Sequence, residues 1–478
     1  MGEVGVTVRR GAPGETDADT RVVGLFEGDK LDEPELQGLV DSGEAKGSLK
    51  KVAVTHVGGK RVIVAGLGKR DDFTAEKARV AAAAAAGRAS EIGAKSLSWA
   101  SPTPDVAGAL VEGTLLKLYK FDRYKSKKDD DSDSDGLKSL EISSADADVA
   151  EAVDRARVGV EAQNRTRDLQ NLPGNVATPE FLAARARELA NGHSALSFES
   201  FGRDAIRDMG MGAFTAVAQG TYEEPQLIVL RYSPSDAAGP HLSLVGKAVT
   251  FDTGGISIKP AGKMHEMKFD MSGGAAVLEA MDAIAALELP VKVTAIVPST
   301  ENMPSGRSMR PGDIVTAMNG TTIEINNTDA EGRLILADAL CYAVDQGAER
   351  IVDIATLTGA IVIALGSTYA GLFANDDDWY AQVEAAGAAA GERGWRMPLD
   401  PEYLELTKGQ YADLTNASEA RKAPSSYAGE FLRQFVNDTP WVHMDIAGTA
   451  WNTAAPYVGS GASGWGTRTF IELASKLS

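Results

Sequence analysis

The sequence predicts an α/β protein with a smaller N-terminal domain and a larger C-terminal domain. Three observations lead to this prediction. The chain has 478 residues, which is more than a single hydrophobic core usually accommodates. Apolar residues make up 44% of the chain and charged residues 24%, an ordinary composition for a folded protein. Short β-rich runs alternate with helical runs along the chain, as in proteins built from strands and helices in turn.

The smaller α/β domain is predicted over residues 1–150. Strand-like runs occupy 52–55 and 62–65, and an alanine-rich helical run follows over 75–90. Near the end of this region, residues 125–137 form a charged low-complexity run. Such a run cannot bury apolar surface, so we expect a surface loop there.

A helix over 151–174 is predicted to link the two domains. It ends at the sequence Leu-Pro-Gly-Asn, which contains two strong helix breakers. The larger α/β domain then covers 175–478. Its predicted strands are Gln226 to Arg231, Leu242 to Val245, Val291 to Val297, Ile351 to Ile354 and Trp441 to Met444.

Residues 354–374 contain no charged side chain and are about as long as a membrane-spanning helix requires. Threonine, serine and glycine residues interrupt the stretch, however. We therefore predict two buried strands joined by turns, and no membrane association.

The charge and cysteine content narrow the function. The formal net charge is −19, and most of it falls after residue 150, which disfavours nucleic acid and favours cationic substrates or metal ions. The single cysteine, Cys341, excludes an internal disulfide and a cysteine-rich zinc site. Residues 1–10 hold no apolar run, so we expect a cytoplasmic protein.

Common catalytic motifs are absent from the sequence. Gly66-Leu67-Gly68 follows a strand, but the rest of a dinucleotide-binding fingerprint is missing, which favours a tight turn. There is no phosphate-binding P-loop, no nucleophile elbow and no His-Glu-x-x-His helix. No two of the five histidines share a helical spacing, so we expect them to be structural.

Carboxylates and lysines instead follow three predicted strand ends or precede helices. Lys247 and Asp252 flank an apolar strand that leads into a glycine turn, and Asp270 stands just ahead of a helix. Asp329 and Glu331 stand two residues apart before another helix. Taken singly, such residues are usually surface lysines or helix caps.

Together, the four carboxylates would lie where open α/β sheets place their sites. They cannot all stay ionised at one point without cations, so they indicate one or two divalent ions. Lys247 could join them only as a neutral amine.

These segments resemble the leucyl aminopeptidase family, also called cytosol aminopeptidases. Its most specific signature, Asn-Thr-Asp-Ala-Glu-Gly-Arg-Leu, is present unbroken over 327–334. The resemblance extends over the region after about residue 165, and it implies a catalytic α/β/α domain with a central mixed sheet. For the N-terminal domain it implies a macro-domain-like fold.

The resemblance also implies roles for individual residues. One metal ion would be held by Lys247, Asp252, Asp270 and Glu331, and the other by Asp252, Asp329 and Glu331. Lys259 and Arg333 would be the catalytic pair. The implied substrate pocket is lined by Met267, Thr356, Leu357, Gly359 and Ala447.

The implied reaction is hydrolysis of the first peptide bond of peptides with a free N-terminus, with leucine and other residues accepted. A water bridging two divalent ions, Mn or Zn, would attack the carbonyl. Bicarbonate on Arg333 would act as general base, and Lys259 would stabilise the oxyanion. The resemblance further implies a homohexamer.

Two departures from the family pattern stand out. Ala450 replaces a bulkier methionine, which would admit larger side chains if it lines the pocket. Ala248 replaces a glycine, which matters only if φ is positive there. Two alternatives stay open. One is a narrower dipeptidase or Cys-Gly hydrolase with the same metals, and the other is an N-terminal binding or regulatory module for a nucleotide-like ligand or nucleic acid.

Overall fold

The computed structural model describes residues 4–12, 14–126, 136–144, 148–420 and 422–478. Its contacts divide the chain into two compact units. The first comprises Met1–Asn164 with Ala455–Gly459, and the second comprises Arg165–Ala454 with Ser460–Ser478. The helix predicted over 151–174 is present as Ala150–Asn171, and the division falls within it. Most of the charged run 125–137 lies outside the described residues.

The first unit is built on a six-stranded sheet. Its elements are β1 (Gly5–Arg10), β2 (Thr20–Phe26), α1 (Pro34–Asp41), β3 (Val52–Val57), β4 (Lys60–Gly68), α2 (Ala75–Glu91), β5 (Ser96–Ala100), α3 (Ala107–Leu118), β6 (Ser139–Ser144) and the first part of α4 (Ala150–Asn171). The strand order is β1-β6-β5-β2-β4-β3, and all neighbours are parallel except β3 and β4. Gly58 and Gly59 join that antiparallel pair with positive φ angles, as a tight hairpin turn requires.

The second unit carries a nine-stranded mixed sheet with the order β16-β15-β18-β14-β9-β11-β8-β7, and β10 also pairs with β11. Its elements are α5 (Pro179–Asn191), β7 (Leu196–Phe201), α6 (Arg203–Asp208), α7 (Gly212–Ala218), β8 (Gln226–Tyr232), β9 (Ala238–Gly246), β10 (Ala248–Asp252), α8 (Ser272–Ala286), β11 (Val291–Asn302), β12 (Ile314–Thr316), β13 (Thr322–Glu324), α9 (Gly332–Asp345), β14 (Arg350–Ala355), α10 (Gly359–Leu365), β15 (Ala370–Ala374), α11 (Asp377–Ala390), β16 (Gly394–Arg396), α12 (Pro401–Glu405), β17 (Leu414–Thr415), α13 (Pro424–Arg433), β18 (Trp441–Asp445) and α14 (Thr467–Leu477).

Helices cover both faces of this sheet. Ile296 on β11 belongs to the core shared with α7, α9 and α13, whereas its neighbour Val297 lies against Gly274 at the start of α8. Successive strand residues point to opposite faces, so α8 and α9 lie on opposite sides. The predicted α/β class, the small N-terminal fold and the larger mixed-sheet fold are confirmed.

One local prediction is wrong. Residues 354–374 do not form two strands joined only by turns, because the helix α10 lies between β14 and β15. Thr358 caps this helix by accepting a hydrogen bond from the amide of Ile361, and Gly366 ends it with a φ of 63°. Within the described residues, no helix is both long enough and apolar enough to span a membrane.

Candidate metal centre

The predicted site residues gather where several strands of the large sheet end. Strands β9, β11, β14 and β18 are parallel, so their carboxyl ends meet at one edge of the sheet. Lys247 directly follows β9, and Asp252 is the last residue of β10, which is parallel to β11. The sequence places these polar side chains beside buried apolar strands, and the topology brings the strand ends together.

Lys247 is not a surface lysine, because only 2% of it is exposed. Its Nζ lies 2.8 Å from both Oδ2 of Asp270 and Oε1 of Glu331, and it donates to the carbonyl of Thr356 at 3.1 Å. Burial opposes the charged amine, but the neighbouring carboxylates outweigh it and raise the pKa of Lys247. A Cβ atom at Gly332 would lie 2.6 Å from Nζ, so a larger residue there would displace the Lys247 side chain.

Lys259 occupies a second position among the carboxylates. Its Nζ lies 2.7 Å from Oδ2 of Asp252 and 2.5 Å from Oδ1 of Asp329. Burial lowers the pKa of this ammonium, and the charges of Asp252, Glu331 and Asp329 more than reverse the effect. Each lysine therefore pairs with two different carboxylates, and the four carboxylates fall into two groups.

The carboxylates are strongly desolvated. Burial raises the pKa of Asp252, and the charge of Glu331 raises it further. Burial also raises the pKa of Asp270 well above its ordinary value, against the opposing charge of Lys247. For Asp329, burial raises the pKa and the charge of Asp252 adds to the shift. Such groups are stabilised in their ionised form by cations held between them.

The donor set fits divalent metal ions. One oxygen each from Asp252, Asp329 and Glu331 lies within 4.8 Å of the others. Oδ2 of Asp270 and Oδ1 of Asp329 are buried and, apart from their ion pairs with lysines, accept no hydrogen bond from the described residues. These oxygens keep lone pairs for a cation, and hard oxygen donors suit ions such as Mn, Mg and Zn.

The glycine turn after β10 shapes one wall of this cluster. Gly254 has a φ of 85°, and a Cβ atom there would lie 2.8 Å from Oδ1 of Asp329. Its amide donates to Oδ1 of Asp252 at 2.8 Å, and its carbonyl accepts a hydrogen bond from the hydroxyl of Thr328. The turn therefore ties Asp252 to the loop that carries Asp329.

Arg333 lies within the first turn of α9 and is 5% exposed. Its Nη1 donates to the carbonyl of Asn416 at 2.6 Å, and its guanidinium carbon lies 5.2 Å from the centre of the Tyr427 ring. Its Nε is buried and has no hydrogen-bond partner in the described part of the chain. Arg333 therefore retains a donor that an anion can use.

The residues predicted to line a substrate pocket lie on three segments. Thr356, Leu357 and Gly359 follow β14, and Ala447 follows the adjacent strand β18. Oδ1 of Asp445 accepts hydrogen bonds from the amides of Leu357, at 3.1 Å, and of Ala447, at 3.3 Å.

The remaining predicted pocket residue, Met267, is half-buried and lies in the short 3-10 helix Met264–Met271, which also carries Asp270. Ala450 is fully buried. Ala248 is not among the described non-glycine residues with positive φ, so alanine in place of glycine causes no backbone strain.

Three buried polar residues near the site were not predicted from the sequence. Asn302 ends β11 opposite Asp252, Asn416 holds the loop before Asp329, and Asp445 ends β18. Asn302 and Asp445 are polar residues at the ends of apolar strands, and this sequence signal could have identified them. No local signal identifies Asn416. His443 bonds Asp353 within the sheet at 2.5 Å, a structural role.

The fold and these residues together define a class of protein. A mixed α/β sheet with buried carboxylates and lysines at the carboxyl ends of its parallel strands is the arrangement of a metal-dependent hydrolase. Residues 164–471 match the model of the cytosol aminopeptidase family, catalytic domain. Residues 22–128 match the model of that family's N-terminal domain.

Individual relatives agree with the family models. The chain is 44% identical to a probable cytosol aminopeptidase of Solibacter usitatus, with 98% of each chain covered. It is equally similar to one from Roseiflexus castenholzii, 44% identical with 98% of each covered. The chain belongs to the cytosol aminopeptidase family, and it is a metal-dependent aminopeptidase.

Solved structures support the same assignment. A mutant of tomato leucine aminopeptidase superposes with a TM-score of 0.89 at 33% identity, covering 99% of this chain and 97% of the other. The bottromycin maturation enzyme BotP in complex with Mn gives a TM-score of 0.87 at 35% identity, covering 96% and 99%.

Proposed function

We propose that this enzyme removes the first residue of peptides with a free N-terminus, leucine among other residues, by using two divalent metal ions. The observation that carries the proposal is the division of four carboxylates, three of them buried and Asp329 half-buried, into two groups. Lys247 pairs with Asp270 and Glu331, whereas Lys259 pairs with Asp252 and Asp329. Two cationic positions within one acidic cluster suit two ions.

The proposed ligands follow from this arrangement. Lys247, Asp252, Asp270 and Glu331 would hold one ion, and Asp252, Asp329 and Glu331 would hold the other. Lys247 must lose its proton to act as a ligand, so metal binding would release a proton. We propose Mn or Zn, and the structure of the relative BotP with Mn supports the first. When bound, the ions would polarise the substrate carbonyl and lower the pKa of water.

Lys259 and Arg333 would supply the remaining chemistry. The side chain of Lys259 is 22% exposed, so its ammonium can reach substrate while still next to Asp252 and Asp329. It would donate a hydrogen bond to the carbonyl oxygen as negative charge develops there. The Nε of Arg333, which has no hydrogen-bond partner among the described residues, would hold a bicarbonate, which supplies a general base when bound.

The acidic site also suits the substrate's positive amino group. A blocked N-terminus is an uncharged amide and would lose this attraction, which explains a preference for free N-termini. Residues Met267, Thr356, Leu357, Gly359 and Ala447 remain our proposed pocket. We further propose a cytoplasmic homohexamer. The relatives' description as cytosol aminopeptidases supports the location, and the exposed apolar side chains of Val362 and Ile363 support self-association.

Two contacts among the described residues of the first unit argue against the alternative of a ligand-binding N-terminal module. Ligands of open α/β sheets bind beyond the carboxyl ends of the strands. Here the segment 45–50 covers the ends of β2 and β4, where Gly68 donates to the carbonyl of Gly47 at 2.7 Å. A Cβ atom at Gly66 would lie 2.2 Å from the carbonyl oxygen of Ser48, so protein backbone fills that space.

Hydrolysis of leucine p-nitroanilide by chelator-treated protein tests the proposed function. Mn, Zn, Co and Mg are restored separately, and the N-acetylated substrate serves as control. We expect metal-dependent release from the free-amine substrate alone. Equal release from the acetylated substrate would contradict the exopeptidase role. A panel of Leu, Met, Phe, Arg and Asp substrates and dipeptides then separates a broad aminopeptidase from a narrow dipeptidase.

A further inference from the structure

We infer that Asn302 is a positioning residue that determines which oxygens of Asp252 and Glu331 face the metal ions. The inference rests on the proposed metal ligands. Asn302 is the last residue of β11, lies directly opposite Asp252 in the parallel strand pair, and is 2% exposed. It therefore reaches the acidic cluster from a different strand than any of the proposed ligands.

The amide nitrogen of Asn302 lies among three acceptors. Nδ2 is 2.9 Å from Oδ1 of Asp252, 3.1 Å from the carbonyl oxygen of Thr328 and 3.5 Å from Oε2 of Glu331. Because all three neighbours can only accept, this side of the amide must be the NH₂ group. Asn302 is thus an uncharged donor between two carboxylates.

This donor leaves one oxygen of each carboxylate for cations. Oδ1 of Asp252 is occupied by Asn302 and by the amide of Gly254, so Oδ2 is the oxygen that pairs with Lys259. Oε2 of Glu331 lies towards Asn302, and Oε1 pairs with Lys247. A bound donor also reduces the repulsion between the two carboxylates without adding charge.

The backbone of Asn302 has a separate role, which makes the side chain testable. Its carbonyl accepts hydrogen bonds from the amide of Thr253 at 3.0 Å and from the hydroxyl of Thr253 at 2.7 Å. Asn302→Ala keeps both bonds and removes only the amide side chain. Partners of metal ligands typically contribute about 10- to 100-fold to metal affinity.

The test is calorimetric titration of Mn²⁺ into chelator-treated full-length protein, with kcat measured at rising Mn²⁺. For Asn302→Ala we expect Mn²⁺ affinity to fall 10- to 100-fold, and saturating Mn²⁺ to restore most of kcat. Asn302→Ser keeps one donor, so its Mn²⁺ affinity should lie between those of the wild type and Asn302→Ala. Asn375→Ala is the matched control, since Asn375 bonds Thr439 and Trp441 at the opposite edge of the sheet. It should bind Mn²⁺ as wild type does.

Wild-type Mn²⁺ affinity in both Asn302 variants would overturn the inference, whereas a wild-type enzyme that binds no Mn²⁺ would overturn the proposed ligand set instead. If neither variant folds, a crystal structure of the Mn²⁺-loaded wild type tests the inference about Asn302 instead. Nδ2 of Asn302 within hydrogen-bond distance of Asp252 supports the inference. An amide turned away from Asp252, or one whose oxygen binds the metal, contradicts it.

Discussion

The hydroxyl of Thr356 donates a 2.7 Å hydrogen bond to Oδ1 of Asp270, while the carbonyl of Thr356 accepts a 3.1 Å hydrogen bond from Nζ of Lys247. One buried residue after β14 therefore contacts two proposed metal ligands. Thr356 was predicted from resemblance only as a pocket residue. Its contacts connect the loop before α10 directly to the metal centre.

Replacing Thr356 by valine should weaken metal binding. Valine has nearly the same shape but leaves Oδ1 of Asp270 without its donor, which costs about 1–2 kcal/mol, or roughly 10-fold in affinity. Thr356→Ser keeps the hydroxyl and should bind Mn²⁺ almost as wild type does. Titration of both variants checks this, and equal affinities would show that the hydrogen bond has no effect on the ion.

Removing either carboxylate of the motif in 327–334 should abolish metal binding and turnover together. Asp329→Ala and Glu331→Ala each delete an oxygen of the three-carboxylate group. The matched control is Asp378→Ala, an exposed acid in the first turn of α11. Metal content by mass spectrometry and the rate with leucine p-nitroanilide are measured side by side. A fully active, metal-replete Asp329→Ala protein would refute the ligand assignment.

Lys259→Met should lower kcat by roughly 10²–10³-fold, as loss of an oxyanion donor typically does. Metal content should be unchanged, because the variant removes a cation that pairs with Asp252 and Asp329 and deletes no carboxylate. Lys263→Met, an exposed lysine on the same loop, is the control. A metal-depleted Lys259→Met protein would instead assign Lys259 a role in holding the site together.

Arg333→Ala should reduce activity and make it partly recoverable by added bicarbonate. The variant removes the buried Nε that has no partner within the described residues, along with the bond to Asn416. Rates are measured across bicarbonate concentrations in buffers freed of carbon dioxide. Indifference of both the wild type and the variant to bicarbonate would count against an anion held at this position.

Local sequence patterns indicate the residues of the acidic cluster better than the residues that support them. Asp252, Asp270 and Glu331 each stand beside a strand or helix boundary that local patterns reveal. Asn302 and Asn416, in contrast, lie 50 residues from Asp252 and 83 residues from Arg333 along the chain. Their partners depend on which strands are neighbours, and hydrophobic periodicity carries no such information.

The helix α10 was missed for a related reason. An uncharged stretch over 354–374 is compatible with strands, a buried helix or a membrane span. What selects a helix is the cap at Thr358, whose hydroxyl also donates to Oδ2 of Asp445 at 2.6 Å. Asp445 lies far along the chain, so tertiary contacts fix the start of this helix.

Asp338 on α9 should make stability depend on pH. This carboxyl is fully buried, and burial raises its pKa to about 7, although the amides of Phe214 and Met318 bond it at 2.8 Å. An unfolded aspartate titrates near 3.9, so between about pH 4 and 7 the folded state binds the extra proton. Stability from this group therefore decreases as pH rises through that window, by at most about 1.4 kcal/mol per unit.

Asp338→Asn has no titratable group at this position, so the variant should lack the pH-dependent contribution of Asp338 to the free energy of unfolding. Urea unfolding of metal-free wild type and variant at pH 5, 6, 7 and 8 gives the difference in unfolding free energy at each pH. We expect wild type to lose stability relative to the variant from pH 5 to 7, with a smaller loss from pH 7 to 8 as Asp338 becomes ionised in the folded state. Parallel profiles would show that Asp338 is ionised in the folded state as it is in the unfolded state, because only a proton bound differently by the two states changes stability with pH.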